Sequence, residues 1–162
     1  MLNKPTLGEN IRFFVDYQFN WMYWRYFMWN FAGRQNDVQG HGSITDGNWL
    51  SRVGFIDGQR LGSQDDLPSS FTGNKAYNRF FLLPLILGII GLIFQFVRNL
   101  RMFTVVALLF FLTGMAIVIY LNQYPLQPRE RDYAYAASFY AFAIWVGFGV
   151  LALYQLGKEA NW

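Results

Sequence analysis

Three long runs of uncharged, apolar side chains constrain this chain more than anything else in it. Residues 80–97 read FFLLPLILGIIGLIFQFV, with Gln95 the one strongly polar side chain before the run ends. Residues 103–121 read FTVVALLFFLTGMAIVIYL and residues 136–156 read AASFYAFAIWVGFGVLALYQL, neither carrying a charge. About 20 apolar residues in a helix cross the roughly 30 Å hydrocarbon layer of a bilayer. A helix also satisfies its own backbone groups where no water can. The alternative, buried helices of a large soluble protein, fits poorly with three such runs in half of a 162-residue chain. The runs therefore predict an all-α membrane protein with transmembrane helices at about 80–97, 103–121 and 136–156.

Composition excludes several other classes. Hydrophobic residues make up 54% and charged residues 14%, against roughly 25% charged in an ordinary soluble domain. A net charge of +3 is too small for a nucleic-acid surface, so no nucleic-acid partner is expected. The absence of cysteine removes disulfides, thiolate metal sites and Cys nucleophiles, and a single His removes a multi-His metal site.

The connections predict tight packing and an orientation. Arg98 and Arg101 sit in the short link RNLRM, and short basic loops stay in the cytoplasm. That places the 122–135 link and all of residues 1–79 on the exoplasmic face, with Lys158 returning inside. Gly88, Gly91, Gly114, Ala143, Gly147 and Gly149 lie within the runs, where small residues let helices approach closely.

Residues 1–79 hold 8 Lys/Arg and 7 Asp/Glu and no spanning run. Thr6-x-x-Glu9 is a capping box opening a helix over about 7–31. Glu9, Arg12, Asp16 and Asn20 form its polar stripe. Eleven of the twenty residues from Arg12 to Phe31 are aromatic, among them Trp21, Trp24 and Trp29. Such rings favour a membrane–water boundary, which predicts an interfacial helix, and an aromatic platform for a sugar or lipid head group is the second reading. The Gly/Asn/Asp-rich stretch from Gly33 to Lys75 reads as loops and turns, with Asp46-Gly47 and Asp57-Gly58 as turn formers. Asp37, His41 and Asp46 offer ligands for a divalent cation, the one cofactor with any support. The competing reading is that they are side-chain caps within the loop.

The most polar feature beside a span is Gln127-Pro128-Arg129-Glu130-Arg131-Asp132-Tyr133. Charges this near hydrocarbon are costly unless paired or placed in a polar site. Arg129 and Arg131 match a phosphate, and Glu130 and Asp132 could neutralise them or accept from a substrate hydroxyl. A self-neutralising cluster capping the next helix explains the same residues.

The stretches GENIRFFVDYQFNWMYWRYFMWNFAGRQNDVQGHG, NWLSRVGFID, FLLPLILGIIGLIFQF and YLNQYPLQPRERDYAYAASFYAFAIWVGFGVLAL resemble the later part of a bacterial membrane family. It is catalogued as domain of unknown function 2723, described as protein O-mannosyltransferase-like and grouped with the GT-C glycosyltransferases. The resemblance covers nearly the whole chain. It implies a multispanning enzyme of the bacterial inner membrane that takes a sugar from a polyprenyl-phosphate carrier on the outer face. Enzymes of that group place their essential acidic residue in the first exoplasmic loop, and nothing here corresponds to it, so no catalytic base carries over. The positions that do are Arg34, Gln35, Asn36, Asp37 and His41 in one loop and Arg129, Glu130, Arg131, Asp132 and Tyr133 in the other.

Residues 1–20 contain no apolar run longer than Phe13-Phe14-Val15, so nothing upstream would translocate an exoplasmic first half. The expectation is a piece of a longer protein, partnered by the remaining N-terminal helices of its parent; inverted topology is the alternative. Two function classes follow: a glycosyltransferase part contacting bilayer and lipid-linked donor, or a non-catalytic membrane scaffold. A transporter is disfavoured by spans without charge.

Overall fold

The computed structural model describes residues 4–65, 67–125 and 131–160. Among these, every regular element is helical, and pairing of extended backbone is limited to isolated bridges from Arg34 to Trp49 and Asn78. Three consecutive stretches, Leu7–Phe13, Phe14–Trp24 and Arg25–Phe31, make one continuous helix, α1. Short helices α2 (Gly54–Leu61) and α3 (Ser69–Thr72) interrupt the loop region. The apolar half comprises α4 (Leu83–Arg98), α5 (Leu100–Thr113, continued past Gly114 by Met115–Leu121) and α6 (a 3-10 turn, Asp132–Tyr135, then Ala136–Ala160).

The capping box is present at the start of α1. Thr6 Oγ1 accepts from the Glu9 amide at 3.3 Å, and Glu9 Oε2 accepts from the Thr6 amide at 2.7 Å. The Thr6 backbone bond, aided by the Thr6 hydroxyl, holds the Glu9 carboxyl below its ordinary pKa of 4.5. A carboxylate with a lowered folded-state pKa stabilises above its unfolded value and ceases to as the pH falls through the folded value. The first turn is therefore expected to fray in acid, as the pH falls through the lowered Glu9 value. A fall in amide protection, relative to the intrinsic exchange rate, at Gly8–Asn10 on acidification, absent in Glu9→Gln, would check it.

The middle of α1 departs from α geometry. Phe14–Trp24 is an eleven-residue π-helix, ending in a bond from the Arg25 amide to the Asn20 carbonyl. Most π stretches are single-turn bulges. Here the aromatic rings ladder along the helix, Phe13 on Tyr17, Phe19 on Tyr23 and Tyr23 on Phe27 at 5.4–6.5 Å.

Two of the three apolar runs form helices long and apolar enough to cross a membrane, Leu100–Leu121 with 22 residues and Tyr133–Ala160 with 28. The first run makes a helix of 16 residues, about 24 Å at 1.5 Å per residue. It starts late because Phe81 and Leu82 are left-handed, with φ of 53° and 60°. The Leu82 amide is tied to the Ala32 carbonyl at the end of α1, 3.3 Å away.

The helices stack in a defined register. α4 and α6 run parallel: Gly88 faces Phe142 near one end, and Arg98 donates to Gln155 at 3.2 Å near the other. α5 runs antiparallel to α6, with Phe103 5.9 Å from Trp145 and Phe110 6.2 Å from Phe142. At the α4–α6 crossing Trp145 Nε1 donates to the buried Gln95 at 2.7 Å, so the polar residue of the first run is spent inside the bundle.

The last turns of α1 complete the bundle above the start of α4. Phe27 lies 4.8 Å from Phe142, 5.8 Å from Phe139 and 6.0 Å from Phe110, and Phe31 lies 4.6 Å from Phe142. Higher up, Tyr23 meets Tyr135 edge-on at 5.5 Å and donates to Ser138 at 3.3 Å. Burial pushes the Tyr23 pKa up, with the Ser138 bond opposing. α4 thus covers the stretch of α6 from Phe142 to Gln155, and α1 the stretch from Tyr135 to Phe142. The aromatic residues expected at an interface supply much of this core.

Candidate functional site

Between α1 and α4 the chain makes a hydrogen-bonded loop whose hubs are Gln35 and Asn36. Gln35 Oε1 accepts from the Asn48 amide and side chain at 3.2 and 2.9 Å, while its Nε2 donates to Ile44. Asn36 Oδ1 accepts from the Val38 and Gly47 amides, its Nδ2 donates to Thr45 and Asp46, and its carbonyl accepts from Trp29. Both side chains are buried, and buried amides hold a loop only when their bonds are satisfied.

A second anchor follows. Asp57, at 1% exposure, accepts from the Ser51 amide and hydroxyl at 2.9 Å and from the Arg52 amide at 2.7 Å. It pulls α2 back onto the loop. The Arg60 guanidinium then lies 3.7 Å above the Trp49 ring, 3.9 Å from Asp57, and donates to the Trp49 carbonyl. Burial lowers the Arg60 pKa and Asp57 opposes it; a guanidinium remains charged regardless.

These anchors close a cavity of about 330 Å³ against the outer face of α1, lined by Asn20, Trp21, Trp24, Arg25, Asn48, Trp49 and Arg60. Arg25 is buried, stacks 4.5 Å from the Trp21 ring, and donates to the Trp21 and Gly47 carbonyls. Trp24 is 39% exposed and so offers ring surface to a ligand. Three indoles, two guanidiniums and two carboxamides converge here. Aromatic faces take the C–H face of a sugar, amides and guanidiniums take hydroxyls, and guanidinium also takes phosphate.

The residues singled out from the sequence lie elsewhere. Arg34 is wedged 4.0 Å from Trp29 and 5.5 Å from Phe80, burial lowers its pKa, and its Nε is buried without a hydrogen-bond partner. Asp37 is exposed and accepts from Asn74 at 3.5 Å; His41 is exposed with φ of 45°. Asp46 accepts from Asn36 and Thr45, the capping role. Among the described residues no three His, Asp or Glu side chains gather as a metal site. Arg129, Glu130 and the Asp132 side chain lie outside the described residues, while Arg131 and Tyr133 are exposed. Tyr135, two positions on, packs on Tyr23, which sets this stretch beside the π segment of α1.

The pocket was half legible. Trp21 and Trp24 belong to the aromatic stretch that the second reading made a platform, and Asn20 to its polar stripe. Arg25 shares α1 with these rings, while Asn48, Trp49 and Arg60 carry no local signal, because the Gln35 hub and the Asp57 anchor bring them in. The chain matches no family model, no curated protein and no solved structure.

Proposed function

We propose that this chain is part of an integral membrane glycosyltransferase of the GT-C kind, and that the tryptophan pocket holds the sugar phosphate of a polyprenyl-linked donor at the exoplasmic surface. The observation that carries the reading is the pocket: indole faces and guanidiniums converge at one end of an apolar helical bundle. Support for the membrane comes from the outer faces of the helices. Val105, Leu108, Phe111, Leu112 and Ile119 of α5 and Ile86, Ile89 and Ile93 of α4 are all exposed, more apolar surface than soluble monomers leave open. Support for the orientation comes from Arg98, Arg101 and Lys158 at the far end, as cytoplasmic loops favour.

In this reading α4, α5 and α6 are three membrane helices of a bacterial inner-membrane protein. α1 packs lengthwise against the exoplasmic halves of α5 and α6, from Gln18 at Asn122 to Phe27 at Phe110 and Phe142. α4, too short to cross alone, continues into the last turns of α1. Arg131 and Tyr133 stand at the same end, available to the carrier phosphate.

The test is binding of a radiolabelled polyprenyl-phosphate hexose to the chain in nanodiscs. Trp24→Ala and Trp49→Ala are each expected to weaken binding about tenfold, of the order of 1–2 kcal/mol for a lost aromatic contact. Unchanged binding with normal insertion would sink the assignment. A second reading, a non-catalytic scaffold, draws on one observation: the buried carboxylate nearest the pocket, Asp57, is consumed by three donors and is no free base. A stoichiometric partner co-purifying without bound sugar lipid would favour it.

A further inference from the structure

The π-helical stretch carries a second cavity. About 380 Å³ in size, it is lined by Val15, Asp16, Phe19, Asn20 and Trp24, and it shares Asn20 and Trp24 with the tryptophan pocket. The two adjoin along one face of α1, and each reaches the lower range of ligand sites, roughly 300–1,000 Å³.

This continuity depends on the helix type. Asp16 and Arg25 are nine positions apart. In an α-helix of 3.6 residues per turn that is about two and a half turns, which sets them on opposite sides. A π-helix, bonded i→i+5, takes in roughly one more residue per turn, so nine positions make about two turns and return to the same side. The Asp16, Asn20, Arg25 alignment is therefore a product of the π register, and π segments concentrate at functional sites. The register aligns a carboxylate, a carboxamide and a guanidinium with Phe19, Trp21 and Trp24 on a single trough. Planar polar groups alternating with ring faces are what a chain of linked pyranoses presents complementary surfaces to, one ring unit per cavity.

We infer that this trough is a two-subsite groove for an oligosaccharide. One sugar unit lies in the tryptophan pocket and the next lies against Phe19 and Trp24, with Asp16 and Asn20 taking its hydroxyls. The inference rests on the pocket reading above and extends it from one sugar to a linked pair. Asp16 is available for this role, since its partner is Arg12 at 3.4 Å, in an ion pair whose two side chains are both largely exposed.

The experiment titrates the full chain, in nanodiscs free of sugar detergent, with glucose, maltose and cellobiose, followed by tryptophan fluorescence. At least one disaccharide is expected to bind about tenfold more tightly than glucose. Asp16→Asn is expected to remove most of that gain while leaving glucose affinity in place, and far-ultraviolet circular dichroism should show its helix content unchanged. Disaccharides no tighter than glucose, or a gain that survives Asp16→Asn, would overturn the second subsite and leave the tryptophan pocket standing. No binding of any of the three sugars would overturn the second subsite, and the tryptophan pocket falls with it if polyprenyl-phosphate hexose also fails to bind.

Discussion

Asp57→Ala is expected to release the loop from Leu50 to Leu61 from the rest of the molecule, at a local cost of about 3–5 kcal/mol. The carboxylate is almost wholly buried and accepts three hydrogen bonds, two of them from backbone amides. Its removal leaves those amides buried without partners, which costs more than the bonds' net contribution. It also frees Arg52, held in the left-handed region at φ of 66°, where a non-glycine residue is strained. With α2 no longer drawn in, Arg60 loses its seat over Trp49 and the pocket opens. Hydrogen exchange at residues 51–60 should rise to the rate of an unstructured loop, and hexose binding should fall with it. Asp57→Asn keeps one acceptor oxygen and should fall between. Wild-type protection at residues 51–60 in Asp57→Ala would refute this account.

The second large effect is expected at the α4–α6 crossing. A Cβ added at Gly91 would run into the Trp145 carbonyl and lie 2.5 Å from the Gly149 amide nitrogen. Both are backbone atoms, so no rotamer change relieves the overlap. Gly91→Leu should force the two helices apart, breaking the Gln95–Trp145 bond and opening the aromatic core beneath α1. The expected loss is about 3 kcal/mol or more, beyond ordinary overpacking. Gly147 is the control, since a Cβ there meets nothing within 4 Å, and Gly147→Ala should be neutral or gain up to about 1 kcal/mol of helix propensity. Unfolding of the three proteins in mixed micelles would decide it; equal stability of the Gly91 and Gly147 variants would refute close packing at this crossing.

The glycines show how far sequence reasoning reaches. Small residues within apolar runs announce that helices approach closely, and they do at Gly91 and Gly149. Gly147 carries the same local signal and touches nothing, because contact depends on which face of α6 meets α4. The aromatic stretch shows the same limit. Its composition favours an interface, yet Phe27 and Phe31 enter the core while Trp24 stays exposed. The polar stripe counted at 3.6 residues per turn still lies outward at Asp16 and Asn20, although Phe14–Trp24 has the wider π register.

The loop motif divides differently. Gln35 and Asn36, singled out with Arg34 and Asp37, organise the loop through their amides, and Arg34 wedges between two rings. Their neighbours in space, Asn48, Trp49 and Arg60, make the pocket. Nothing in a loop sequence reports which distant side chain its amide will hold.

Local physics was written in the chain: where apolar runs make helices, where Thr6 and Glu9 start one, and which stretch is loop. Those properties depend on hydrogen bonds a few residues apart and on burial of consecutive side chains. The late start of the first run's helix, which leaves it sixteen residues, and the meeting of three tryptophans with two arginines came from packing. Each requires segments tens of residues apart to press together, and the ring geometry and buried carboxylate that achieve this exist only in the folded molecule.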